Sequence, residues 1–210
     1  MKKYYRSPRA QRGNVLLFLV GGLLLAGLLG AAIMSFKGSN NSLVSNATAN
    51  GYATELRGEF DSIETYVGVA ASVKGVSPTL VTLNNNASTG LFHPDVGGGT
   101  PQTPTASAMA DTTTTFVVAN VVMPNLGTAA PDRLVLLGGV SQSVCLATMQ
   151  TLRGSAAVIP SAGITAAVLL AGSADLTSAT GVTGKALTTG CVTTSDASPR
   201  FVAYRVINAA

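Results

Sequence analysis

Two different hydrophobic patterns follow one another in the first third of the chain. From Gly13 to Phe36 the sequence runs 24 residues without an Asp, Glu, Lys, Arg or His, bounded by Arg12 and Lys37. As a helix, residues 14–36 would span about 35 Å, enough for a bilayer core of about 30 Å. Beyond the polar stretch that starts at Lys37, small or apolar residues fall at Ala49, Ala53, Leu56, Phe60, Ile63, Val67 and Ala70. Alternating four- and three-residue spacing places them on one stripe of a helix. Glu55, Arg57, Glu59, Asp61 and Glu64 lie off that stripe and read as a solvated face. Lys74 to Pro78 (KGVSP) then supplies the Gly and Pro that stop a helix. The pattern predicts one helix from about Val15 to about Val73, apolar all round in its first half and amphipathic in its second. Gly51 and the Ser39–Asn50 stretch are its weak points.

The rest of the chain changes period. Asn84 to Ser107 is rich in Gly, Pro, Asn and Thr and reads as an exposed loop. Strand-like runs follow at Thr112–Pro124, Arg133–Val140, Gly163–Gly172, Gly184–Thr194 and Arg200–Asn208. The last alternates Phe201, Ala203 and Arg205 against Val202, Tyr204 and Val206, as a strand with two distinct faces does. Ser141–Leu152 is the one good helix candidate in this part. The expected fold class is α+β: a long N-terminal helix, with a transmembrane half and an amphipathic half, packed on a C-terminal antiparallel sheet. The chain divides into a basic leader (1–13), the transmembrane half (14–36), the amphipathic half (37–75) and an exported β-rich domain (76–210).

Composition supports export. Only 10% of residues are charged, against about 25% in typical soluble proteins. That suits an extracellular domain or an assembly subunit better than a cytosolic enzyme. The net charge of +4 is uneven, because Lys2, Lys3, Arg6, Arg9 and Arg12 precede the apolar run. The remainder carries eight basic and nine acidic residues, which leaves no clustered basic surface for nucleic acid. A basic tail ahead of an apolar run is the cytoplasmic flank of a membrane segment. The two cysteines, Cys145 and Cys191, lie in the exported part. An even count there points to one disulfide, with two separate buried thiols as the alternative.

Residues for catalysis are scarce. The single histidine, His93, sits beside Pro94 and Asp95 in the Gly/Pro/Asn loop and reads as a loop residue. Ser141 and Ser143 flank Cys145 without a nucleophile-elbow pattern, and two cysteines with one histidine are too few for a metal site. Gly181–Lys185 (GVTGK) resembles a phosphate loop, but Ala186 stands where Ser or Thr is required and Ala179 where the first glycine is. The chain therefore carries no nucleotide site, no cofactor is expected, and it reads as a non-enzyme. Asn46 and Asn86 match the glycosylation tripeptide, which also arises by chance.

The apolar run itself has internal order. Gly22, Ala26 and Gly30 recur every four residues, with Gly27 and Ala31 as a parallel set. Such small-residue rows let helix backbones approach closely in lipid. The run is longer than the apolar core of a secretory signal, although Gly30-Ala31-Ala32 would serve as a cleavage site.

A short basic leader ending in Gly13, an unbroken apolar run continuing into an amphipathic half, and two cysteines toward the C-terminus resemble a type IV pilin or pseudopilin. The cysteine placement is similar to the type IVb arrangement. The resemblance implies cleavage by a prepilin peptidase after Gly13, leaving Asn14 as an N-methylated terminus. It further implies storage in the bacterial inner membrane, then packing with copies of itself and other pilins in an extracellular filament driven by partner ATPases. Most members have Glu five residues after the cut, where this chain has Phe18. An unpaired carboxylate in lipid is expensive, and Phe18 removes both that cost and the pairing device. Some minor pilins and pseudopilins share the departure. The expected function is a structural subunit of a pilus-like filament or a minor pseudopilin of a type II secretion system. The alternatives are a single-pass envelope-anchored binding protein and a secreted protein cut near Ala32.

Overall fold

A computed structural model describes residues 45–83, 88–198 and 200–210. Helix α1 runs through residues 45–74. It ends where Gly75 enters the left-handed region at φ 67°. There the Gly75 N–H reaches the Ala71 carbonyl and the Val76 N–H reaches that of Ala70, both at 3.1 Å. Glycine is the residue that adopts this helix-closing conformation without strain.

Five strands form one sheet: β1 (Phe116–Val122), β2 (Asp132–Val140), β3 (Ser173–Asp175), β4 (Thr189–Thr193) and β5 (Phe201–Asn208). Their spatial order is β3-β1-β2-β5-β4. The β1–β2, β2–β5 and β5–β4 pairs are antiparallel, and β3 lies parallel to β1. Two further helices complete the described elements, α2 (Gln142–Arg153) and α3 (Ala166–Leu170).

The expected fold class needs correcting on three points. The sheet is mixed rather than antiparallel, because β3 joins it in parallel. The apolar Gly163–Gly172 run forms α3, not a strand, and only the residues after it pair with β1. Its helical start is capped from within and from outside the run: the Thr165 hydroxyl accepts the Val168 N–H, and Asp196 Oδ2 accepts the Ala166 N–H at 2.8 Å. Third, among the described residues no helix is long and apolar enough to cross a membrane. The expected transmembrane half, residues 14–36, and the leader lie outside the described residues.

The sheet is covered on both faces. On one face, Val135 and Leu137 of β2, Phe116 of β1, Cys191 of β4 and Ala203 of β5 pack against α1 and α2. All seven stripe residues of α1, Ala49 through Ala70, are buried in that cluster. Phe60 and Phe116 meet edge to face at 5.4 Å between ring centroids, a favoured aromatic arrangement. On the other face, Leu134 and Leu136, Val121, Val192, Val202 and Tyr204 pack against Leu169 of α3 and the segment holding Leu176, Ala179 and Val182. Alternate residues of β1, β2, β4 and β5 thus enter opposite cores. That is why β2 reads as an unbroken apolar run rather than an alternating one.

Both sheet edges are blunted. β3 is three residues long. Beside β4, Ala162 N–H donates to the Thr193 carbonyl and Thr193 N–H to the Pro160 carbonyl, each at 2.8 Å. Short or covered edges deny a foreign strand its template.

Candidate functional site

The structure divides the sequence-derived residues sharply. Gly13, Asn14, Gly22, Ala26, Gly27, Gly30 and Ala31 lie outside the described residues, as does Phe18. Cys145 and Cys191 are bonded to each other, with Cα atoms 5.5 Å apart. The bridge ties α2 to β4 from inside the first core, and both cysteines are wholly buried. The Cys191 N–H points at the Met149 sulfur at 3.3 Å.

The acidic residues of α1 do more than face water. Glu59 Oε1 accepts both the N–H of Thr105 at 3.2 Å and its hydroxyl at 3.0 Å. Burial raises the Glu59 carboxyl above its ordinary value, outweighing those two hydrogen bonds, which lower it, and adjacent Glu55 adds to the rise. Asp61 and Glu64, one turn apart, both engage Arg205 of β5, the first at 3.2 Å. Arg205 also donates to the Thr189 hydroxyl at 2.9 Å. Hence α1 is fixed to the sheet by an apolar stripe and the Arg205 ion pairs, and to the loop ahead of β1 by the Glu59–Thr105 tie. Sequence reasoning missed both ties, since Thr105 and Arg205 are remote in the chain.

Other titratable groups have structural roles. His93 Nδ1 accepts the Asp95 N–H at 3.1 Å and so organises its own turn. Asp132, fully buried, receives the Met123 N–H at 3.2 Å and the Ala210 N–H at 3.0 Å. Ser141 and Ser143 are 3.4 Å apart at the start of α2. Gly184–Leu187 is a 3-10 turn in place of the helix a phosphate loop would lead into. Burial pushes the Tyr204 hydroxyl far up. Among the described residues no group of three or more His, Cys, Asp or Glu could hold a metal ion.

A concave surface is formed where the loop meets β1. One cavity of about 420 Å³ is lined by Leu83, Phe92, Pro101, Gln102, Thr103, Thr115 and Phe116. A second of about 200 Å³ shares Gln102, Thr103 and Thr115 with it and continues toward Thr112. The segment is held in place at both ends. Thr105 is bound to Glu59, and Asp111 accepts from the N–H and hydroxyl of Thr113 at 3.0 and 2.6 Å. Thr114 then donates to the Gly138 carbonyl at 2.6 Å. The sequence showed only an exposed Gly/Pro/Thr loop here; the recurrent Thr and Gln around Phe116 was the available signal.

No family model matches this chain, and neither curated proteins nor solved structures yield a match.

Proposed function

We propose that this chain is a structural subunit of a type IV pilus-like surface filament, assembled through packing of its apolar N-terminal stretch. The supporting observation is how the apolar surface is distributed. Both described cores are built from residue 49 onward, and the α1 stripe is already spent inside them. The uncharged run of Gly13 to Phe36 is, by length and composition, suited to burial in lipid or among other copies. Burying such a run removes each Leu, Ile, Val or Phe from water for about 1.5–3 kcal/mol, and in lipid close small-residue packing takes over. The reading places the precursor in the bacterial inner membrane and the product on the cell surface. Prepilin peptidase, assembly ATPases and other pilins are its partners.

N-terminal sequencing and intact mass of sheared surface material test this. The expected product begins at Asn14 and carries a methyl group. Retained Met1 on single copies in the membrane refutes the reading in favour of a plain anchor, and a start at Ile33 refutes it in favour of secretion.

A further inference from the structure

The two joined cavities beside β1 have a chemical character that the filament reading does not use. Their combined volume lies in the range of small-molecule sites, about 300–1,000 Å³. Among the described residues, neither lining contains Asp, Glu, Lys, Arg or His. An ion would have to shed water there with no counter-charge to replace it. Yet the walls are rich in neutral donors and acceptors. The hydroxyls of Thr103, Thr112 and Thr115 make no hydrogen bond within the protein among the described residues, and all three residues are exposed. Gln102 donates from Nε2 to the Thr100 carbonyl at 3.1 Å. This fixes the side chain and leaves the amide oxygen to accept. The apolar part of the floor comes from Leu83, Phe92 and Pro101, with the largely buried Phe116 beneath.

We propose that this groove binds a neutral oligosaccharide. Hydroxyl-bearing rings match hydroxyl and amide walls, and the C–H faces of sugar rings match the apolar floor of Leu83, Phe92 and Pro101. Charged ligands are disfavoured because no described lining residue carries a balancing charge, and the flanking Glu59 and Asp111 carboxylates are already engaged with Thr105 and Thr113. The walls are preorganised by the Glu59–Thr105 tie on one side and the Asp111 turn on the other. The site therefore need not order itself on binding. It requires only the folded domain, so it stands or falls independently of filament assembly.

Saturation-transfer NMR on the full-length chain in dodecylphosphocholine, a sugar-free detergent, tests it. The probes are maltotriose, cellotriose and triacetylchitotriose at millimolar concentration, with trigalacturonate as the charged counterpart. The expected result is transfer to at least one neutral trisaccharide. Affinity should fall about tenfold in Thr103→Val/Thr115→Val, which keeps side-chain shape while removing two hydrogen-bonding groups. Gln102→Leu should weaken binding as well, and unchanged melting curves would show that the variants are folded. No transfer to any neutral probe overturns the proposal. So does equal transfer in wild type and both variants, or a trigalacturonate signal stronger than every neutral one.

Discussion

Replacing Ile63 by Ala tests whether α1 is an integral wall of the domain. Ile63 sits mid-stripe with no exposed surface, in the cluster that also holds Phe60, Val135 and Leu137. Truncating a buried Ile to Ala costs about 2–5 kcal/mol, through lost transfer energy and the cavity left behind. A mid-range loss of about 3 kcal/mol corresponds to about 6–12 °C in melting temperature at this domain size. Val69, six residues further along α1, is 38% exposed and provides an internal control. Val69→Ala should stay within about 0.5 kcal/mol of wild type, since exposed substitutions away from special features rarely exceed that. Urea and thermal unfolding of the full-length chain, followed by circular dichroism at 222 nm, give both values. The midpoint should move for Ile63→Ala without a change in slope. If Ile63→Ala loses less than about 1 kcal/mol, or no more than Val69→Ala, the helix is not docked as described and the burial argument fails.

Two further outcomes follow from the polar tie and the disulfide. Because burial lifts the Glu59 carboxyl above its ordinary 4.5, the folded state binds that proton more tightly than the unfolded state. Its contribution is fully present below pH 4.5 and lost as pH rises through the raised value. The melting temperature of Glu59→Gln minus that of wild type should grow upward from pH 4.5, and a difference flat with pH contradicts the assignment. Cys145→Ala combined with Cys191→Ala opens a bridge spanning 46 residues, worth about 4 kcal/mol in the chain-entropy model. Reductant should release labelable thiols only where urea has unfolded the chain, and rapid labelling of the native protein would contradict the burial of the bridge.

Legibility differed between parts of the chain for physical reasons. The α1 stripe was readable because about six turns of helix repeat one signal, and every predicted stripe residue is buried. Its stop at Gly75 was readable because glycine has one common use there. The alternation of β5 was visible too, but not that both of its faces are covered. The continuous run Leu134–Leu137 carried that information and was read simply as a strand. Gly163–Gly172 is apolar throughout, so periodicity could not separate strand from helix. The Ala166 N–H at its helical start is accepted by Asp196, thirty residues downstream, a contact the run itself does not encode. Strand β3 is too short to have a period, so its parallel pairing with β1 left no trace in the sequence. The partners of Glu59, Asp61 and Glu64 and the groove beside Phe116 arise only when distant segments meet.

The blunted sheet margins have a consequence for crowding. With β3 cut to three residues and β4 bridged to residues 160–162 at Thr193, a neighbouring molecule finds only short stretches of described backbone to extend. Copies held at high local density must recognise one another by side-chain shape and chemistry. Such associations can be undone, whereas a fused β-ribbon would lock them irreversibly into aggregates.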